Sequence, residues 1–441
     1  MEELARESIS LLSKPALSAD GPRLGSCGAL VIMLKSALGA GLLNFPWAFA
    51  RAGGVHAALT VELVSLVFLV SGLVILGYSS SISGQTTYQA VVRHLCGSAI
   101  GKLCEICFVF NLFMISVAFL VIVADQLHKL WVSLYEVITG MSEGDLPHHW
   151  YTDQRFTLFL LCVFLILPLS VPKEIEMQKY ISVLGTLAAI YLTISVIVKY
   201  YTRAIPETYL FPIYSSGIST WASMFSVIPT ICFGFQCHEA CIAIYSSMEN
   251  KKLTHWVFIS LMSMFFCLII YSLTGIYGYM TFGKNVAPDV LMSYSGGDVL
   301  MIIARLLFGV SIITIYPIVV LLGRSVIQDP LLKRRGKHFT VTNFFEMCTR
   351  VSLTVTWIMT TLLIAVFVPD ISKVISVIGG ISAFFIFIFP GLCLIFAMQS
   401  QPVSARLRFV LIAWGVITLL CGTFIFGQST ALAIMHILNK L

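Results

Sequence analysis

Residues 33–46 read MLKSALGAGLLNFP, and how this stretch can enter a lipid bilayer decides the fold. Lys35 is expensive in hydrocarbon, and Gly39, Gly41 and Pro46 weaken the helix that lipid demands. A lipid-facing backbone must satisfy its own hydrogen bonds, so irregular chain at mid-depth survives only where protein or a watery cavity covers it. The stretch is therefore expected to unwind around 39–42, inside a protein interior rather than against lipid. Taken alone, it has a second reading: small residues also permit close helix packing.

The surrounding chain supports a membrane setting. Its 441 residues are 58% hydrophobic and 11% charged, with a mean hydropathy of +0.93. No polar tract is long enough to fold as a separate soluble domain. About eleven apolar spans are expected, near 25–50, 56–79, 105–137, 156–171, 177–201, 222–247, 256–280, 299–326, 347–368, 371–397 and 407–436. The fold class expected is an all-α, multi-pass membrane protein, and the first span acts as its own insertion signal because MEELARESIS lacks the cast of a cleavable leader.

Basic residues give the orientation. With the amino terminus in the cytoplasm, Arg93, Lys102, Lys251, Lys252, the segment 324–350 and Arg406 with Arg408 all fall on the inner side. The run KRRGK at 333–337 fits contact with anionic headgroups, so the net charge of +6 speaks of orientation and not of nucleic acid. None of the twelve cysteines lies in the expected outer loops, which argues against extracellular bridges. Cys104 and Cys107 form a CEIC pair with no second pair beside it, a poor zinc site.

A second stretch repeats the grammar of the first. Residues 229–240 read PTICFGFQCHEA, placing Pro229 before a cluster of Gly234, Gln236, His238 and Glu239 at mid-span. The two stretches open successive sets of five spans. That is the layout of an inverted repeat, 25–201 and 222–397, preceded by a tail at 1–24 and followed by one further helix at 407–436. Paired broken helices near the midplane point to a transporter's site. Opening a helix frees amides at one new end and carbonyls at the other, about half a charge of each sign. An amino acid presents matching groups: its carboxylate suits the amides of Gly41 and Leu42, and its ammonium suits carbonyls around Phe233, Gly234 and Phe235.

KSALGAGLLNFPWAF at 35–49, FGFQCH at 233–238 and FIFPG at 387–391 together resemble the amino acid and auxin permease superfamily, in its sodium-coupled neutral amino acid transporter branch, solute carrier family 38. The resemblance covers essentially the whole chain from about residue 25. It implies eleven helices in the leucine-transporter fold, a substrate held between helices one and six, and alternating access. It assigns Gly39, Ala40, Gly41 and Leu42 to the first unwound segment, and Phe233, Gly234, Phe235, Gln236, Cys237 and His238 to the second. It implies small neutral amino acids as cargo, glutamine prominent, no cofactor, and sodium as coupling ion between helices one and eight. Ser311 and Thr314, three apart on one helix face, are the hydroxyls offered there.

Lys35 departs from the family, whose sodium-coupled members commonly carry asparagine at this place. An amide oxygen can ligate sodium and an ammonium cannot. Three readings stand: a tethered cation replacing sodium, with Ser36 beside it and Ser311 or Thr314 opposite, making transport sodium-independent or proton-coupled; a pair with Glu239 and sodium nearby; or a side chain snorkelling to the cytoplasm. Glu62 and Arg305 each lie about two turns from the outer surface, placed to pair or to snorkel. His238 is either a proton or substrate contact or a structural bond to freed backbone, and Asp125 serves gating or touches headgroups.

Enzyme and channel readings find less. HEACI at 238–242 lacks the second histidine of a zinc protease, since Ile242 stands there, and no selectivity loop recurs. A sensor on the same fold needs the same pocket, so sequence leaves it open. The expected setting is a monomer in the plasma membrane, although ESISLL at 7–12 resembles an acidic dileucine signal that would send it to endosomes or lysosomes.

Overall fold

The computed structural model describes residues 25–139, 153–172, 178–202, 225, 227–336 and 343–438. The amino-terminal tail with its dileucine-like stretch, the outer loops around 140–152 and 203–224, and the side chains of KRRGK lie outside the described residues.

The described chain is helical throughout. In order it forms α1 (Ser26–Ala37), α2 (Phe45–Arg51), α3 (Val55–Ser83), α4 (Tyr88–Cys96), α5 (Ser98–Thr139), α6 (Gln154–Ser170), α7 (Gln178–Thr202) and α8 (Ile228–Gly234). Then come α9 (His238–Ser247), α10 (Leu253–Phe282), α11 (Val299–Gly336), α12 (Asn343–Phe367), α13 (Ile371–Ser400) and α14 (Ala405–Leu438). Among the described residues eight helices are long and apolar enough to cross a membrane, and the bent pair α1 and α2 makes a ninth span. Large apolar side chains left exposed along α14, such as Phe409, Leu420 and Phe424, are what a lipid-facing surface requires.

The amphipathic α4 was not expected from the hydropathy pattern. Thr87 caps it by accepting from the Ala90 amide at 3.4 Å, and Gly97 at φ +91° ends it. Gly53 and Gly54 at φ +91° and +116° fold α2 back into α3, a turn that L side chains resist.

The chain divides into two compact units, each drawn from both expected repeats: 1–107 with 196–286 and 375–441, and 108–195 with 287–374. In the first, α10 packs along α1, α2 and α3. The indole of Trp256 on α10 donates to the Leu73 carbonyl at 2.9 Å, where Gly77 leaves room for it. Helix α13 carries a π turn at Phe384–Ile388, in which the Phe389 amide reaches back five residues to the Phe384 carbonyl. Pro390 follows it, and a proline with no amide to offer is a natural cause of such a bulge. Tyr88 Oη donates to the Phe385 carbonyl in this turn at 2.9 Å, and Gly391 lets α14 close against it. The FIFPG motif is thus a bent, tightly packed crossing.

The second unit holds its polar groups by the same rule that burial demands bonds. Arg305 is 0% exposed, and its guanidinium donates to the carbonyls of Leu291, Tyr294 and Ser295 at 3.0, 2.9 and 3.2 Å. Arg324 donates to the carbonyls of Ser170 and Pro172 at 3.1 and 3.2 Å and to Thr354 Oγ1 at 2.8 Å. Asp125 accepts from the Gln154 amide at 3.1 Å. Snorkelling, one expectation for Arg305, is corrected: a ring of loop carbonyls meets its charge inside the protein.

Candidate functional site

Both sequence-predicted interruptions exist, and both fall in the first unit. Helix α1 stops at Ala37; Leu38 and Gly39 turn into extended backbone, and Ala40–Asn44 forms a 3-10 turn before α2 starts at Phe45. The axis bends by 46° across the break. Pro46 sits in the first turn of α2, where its missing amide costs nothing. In the second interruption α8 ends at Gly234, Phe235 to Cys237 leave the helix, and α9 begins at His238. Pro229 again occupies a first turn.

The two breaks touch at their glycines. A methyl group on Gly41 would lie 2.8 Å from the Gly234 Cα and 3.3 Å from both the Gly234 nitrogen and Phe233 Cδ1. A methyl on Gly234 would strike Phe45 at 2.7 Å. At Gly41 backbone meets backbone, an approach that the missing side chain permits, while the open side of Gly234 is filled by the Phe45 ring.

Side chains tie the breaks together. Tyr271, buried on α10, shares one hydroxyl proton between the carbonyls of Ala37 and Gly234 at 2.7 and 2.8 Å. These are terminal carbonyls of α1 and α8, left without amides by the interruptions. Its ring stacks on Phe45 at 4.3 Å. Thr230 Oγ1 donates to Asn44 Oδ1 at 2.9 Å, a second buried link between the two breaks. Ser382 on α13 donates to Gln236 Oε1 at 2.6 Å and to the Ile378 carbonyl at 2.8 Å. The Gln236 amide nitrogen is buried and unpartnered among the described residues, a donor directed from the second break.

The expected site residues divide by access. Lys35, Phe233, Gln236 and Glu239 are half-buried, whereas Ser36 and Gly39 are exposed, and nothing lies within 4 Å of the place a Gly39 side chain would take. Ala40, Gly41, Leu42, Gly234, Phe235, Cys237 and His238 are buried. The Leu42 amide, expected to be free for a carboxylate, is taken by the Gly39 carbonyl at 3.1 Å because the 3-10 turn closes there. His238 is 0% exposed and its Nε2–H donates to the Leu69 carbonyl of α3 at 2.9 Å, the structural bond among its two expected roles.

Lys35 has no carboxylate partner among the described residues, so the expected pair with Glu239 is corrected. It lies instead in the last turn of α1, where the terminal carbonyls carry about half a negative charge. The break that weakens the helix thereby compensates the lysine. Glu239 stands in the first turn of α9, the positive end of that helix. In the second unit Ser311 is buried, and Thr314 returns its hydroxyl to the carbonyls of Val310 and Ser311 at 2.7 and 2.8 Å.

Tyr271, Asn44, Thr230 and Ser382 were absent from the sequence-based set. Asn44 carried a signal, being the carboxamide inside the first stretch. A single tyrosine in the apolar run of α10 offered none. The second unit also carries a partly open pocket of about 130 Å³, lined by residues including Val121, Gln154, Arg155, Leu158 and Pro369, which shares no residue with either break.

Comparison with known proteins accords with this geometry. Residues 25–435 match the family described as transmembrane amino acid transporter protein. The chain is 62% identical over 440 residues, the full length of both, to the putative sodium-coupled neutral amino acid transporter 8 of Xenopus tropicalis. It is 55% identical to solute carrier family 38 member 8 of Homo sapiens, over 98% of this chain and 99% of that one. It is 43% identical to sodium-coupled neutral amino acid transporter 7 of Danio rerio, over 96% of this chain and 90% of that one. Among solved structures, MhsT in complex with L-phenylalanine aligns with a TM-score of 0.58 at 16% identity, over 93% of this chain and 100% of that one, a likeness of fold. Two interrupted helices meeting at paired glycines, and a match along nearly the whole sequence, lead to one conclusion: the chain belongs to the transmembrane amino acid transporter protein family.

Proposed function

We propose that this protein is a secondary active transporter of small neutral amino acids, glutamine among them, working by alternating access around the two breaks. The observation that carries the reading is the contact of Gly41 with Gly234, flanked by the hydroxyl of Tyr271 on carbonyls of both broken helices. Such a junction gathers backbone dipoles of both signs, the complement of a zwitterion. The accessible Gly39 supplies an open face at the first break, and the Gln236 amide nitrogen, unpartnered among the described residues, supplies a donor at the second. The names of the similar proteins favour neutral amino acids and sodium.

Coupling follows from Lys35. With no acid paired to it among the described residues and the negative end of α1 beside it, its ammonium acts as a resident cation at the break. Transport in this reading depends less on sodium than in relatives with an asparagine. The eleven-span, five-plus-five arrangement, the cytoplasmic amino terminus, a monomeric state and residence in the plasma membrane complete the proposal, supported by the basic-residue pattern and the paired breaks.

Purified protein in liposomes tests it. Radiolabelled glutamine should be taken up and exchanged saturably, in a series that replaces sodium by choline at two pH values. Saturable binding without exchange would mark a receptor and overturn the transporter reading.

A further inference from the structure

Glu62 is a carboxyl group that, among the described residues, has no charge partner. It lies on α3 and is 1% exposed. Ser272 Oγ on α10 meets Oε2 at 2.9 Å, and Oε1 has no hydrogen-bond partner. Among the described residues no lysine, arginine or histidine pairs with it. Snorkelling, one of the expectations from sequence, is not what the burial of Glu62 shows. A carboxylate so placed would keep its charge with one hydroxyl donor in place of water, whereas a neutral carboxylic acid needs far less.

Position gives this proton a task. Ser272 is the next residue along α10 from Tyr271, whose hydroxyl ties the Ala37 and Gly234 carbonyls. One turn of α10 thus touches the breaks with one side chain and Glu62 with the next. We propose that Glu62 is a proton-binding site of the transport cycle: neutral in the buried arrangement seen here, and releasing its proton when α3 and α10 part and water reaches it. The inference rests on the transporter reading and names an ion for it, the proton, at a place distinct from Lys35.

Among the described residues, these charged and titratable groups lie on the elements packed around it. From α10 Tyr271 lies within its electrostatic reach. From α2 the guanidinium of Arg51 sits over the Trp47 ring at 5.1 Å. From α9 His238 meets α3 at Leu69, about two turns further in. Helix α13 reaches α3 further in as well, at Phe68 and Gly72, and α4 follows its far end.

Infrared difference spectra of the full-length protein in lipid nanodiscs, between acid and alkaline buffer, test the site without requiring transport. A protonated carboxyl C=O band should be present at neutral pH, vanish in Glu62→Gln, and shift in frequency in Ser272→Ala as its hydrogen bond is lost. Glu62→Gln is nearly isosteric and keeps an oxygen for Ser272. In liposomes an imposed proton gradient should change the rate of glutamine uptake by the parent, and Glu62→Gln should lose that response. No Glu62-dependent band at neutral pH, or an equal gradient response in both proteins, would overturn the proton site. A parent that carries no amino acid under any condition would instead sink the transporter reading, while the spectra still judged Glu62.

Discussion

Alanine at Gly41 and at Gly39 should separate packing from access at the first break. A methyl at position 41 would sit 2.8 Å from the Gly234 Cα, 3.3 Å from its nitrogen and 3.3 Å from Phe233 Cδ1. Carbon contacts prefer about 3.5–4.0 Å, so the two backbones must separate by roughly 1 Å. No rotamer can relieve this, because the nearest atom is main chain. Overpacking of this kind costs about 1–3 kcal/mol, and Gly41→Ala should lose a few degrees in Tm and most of its uptake. At position 39 the same methyl meets nothing within 4 Å, and φ of −156° is extended backbone open to any residue. Gly39→Ala should keep its Tm, yet a methyl on the accessible face should raise KM for glutamine by about tenfold or more. Thermal-shift measurements in detergent and concentration-dependent uptake read the two effects. Equal losses of Tm in both variants, or an unchanged KM in Gly39→Ala, would refute the reasoning.

Three further outcomes follow from the same geometry. Tyr271→Phe retains the ring stacked on Phe45 but removes the donor from two buried carbonyls; a cost of about 1–3 kcal/mol should show as a lower Tm and slower uptake. Ser382→Ala strips Gln236 of its donor and should raise KM with little change in Tm, measured by the same uptake series. Lys35→Asn removes the resident cation and supplies an amide oxygen, so replacing sodium by choline should impair uptake more in the variant than in the parent; equal dependence would remove the case for the resident cation.

Much of this arrangement was legible because lipid makes irregular backbone conspicuous. Gly39, Gly41, Pro46, Pro229 and Gly234 stand out in apolar runs, and each marks a place where the helix stops, restarts or is crossed. What the stops expose was less legible. The Leu42 amide looked free because a break in one dimension gives no sign of the 3-10 turn that reuses it. Tyr271 was invisible because its role depends on which face of α10 meets α1 and α8, a three-dimensional fact that no period within α10 encodes. Glu62 and Arg305 were noticed as charges in spans, but their burial reversed the expectation that long side chains reach the surface. The short α4 escaped because its polar face breaks the apolar run on which span recognition depends.

A cryo-electron microscopy map of the full-length protein with glutamine bound tests the central claim most directly. The account predicts density for the amino acid against the backbone at 38–41 and 235–238, with Gly39 and Gln236 in contact and both helices interrupted. Glutamine seated elsewhere, or continuous helices through Gly39 and Gln236, would contradict it.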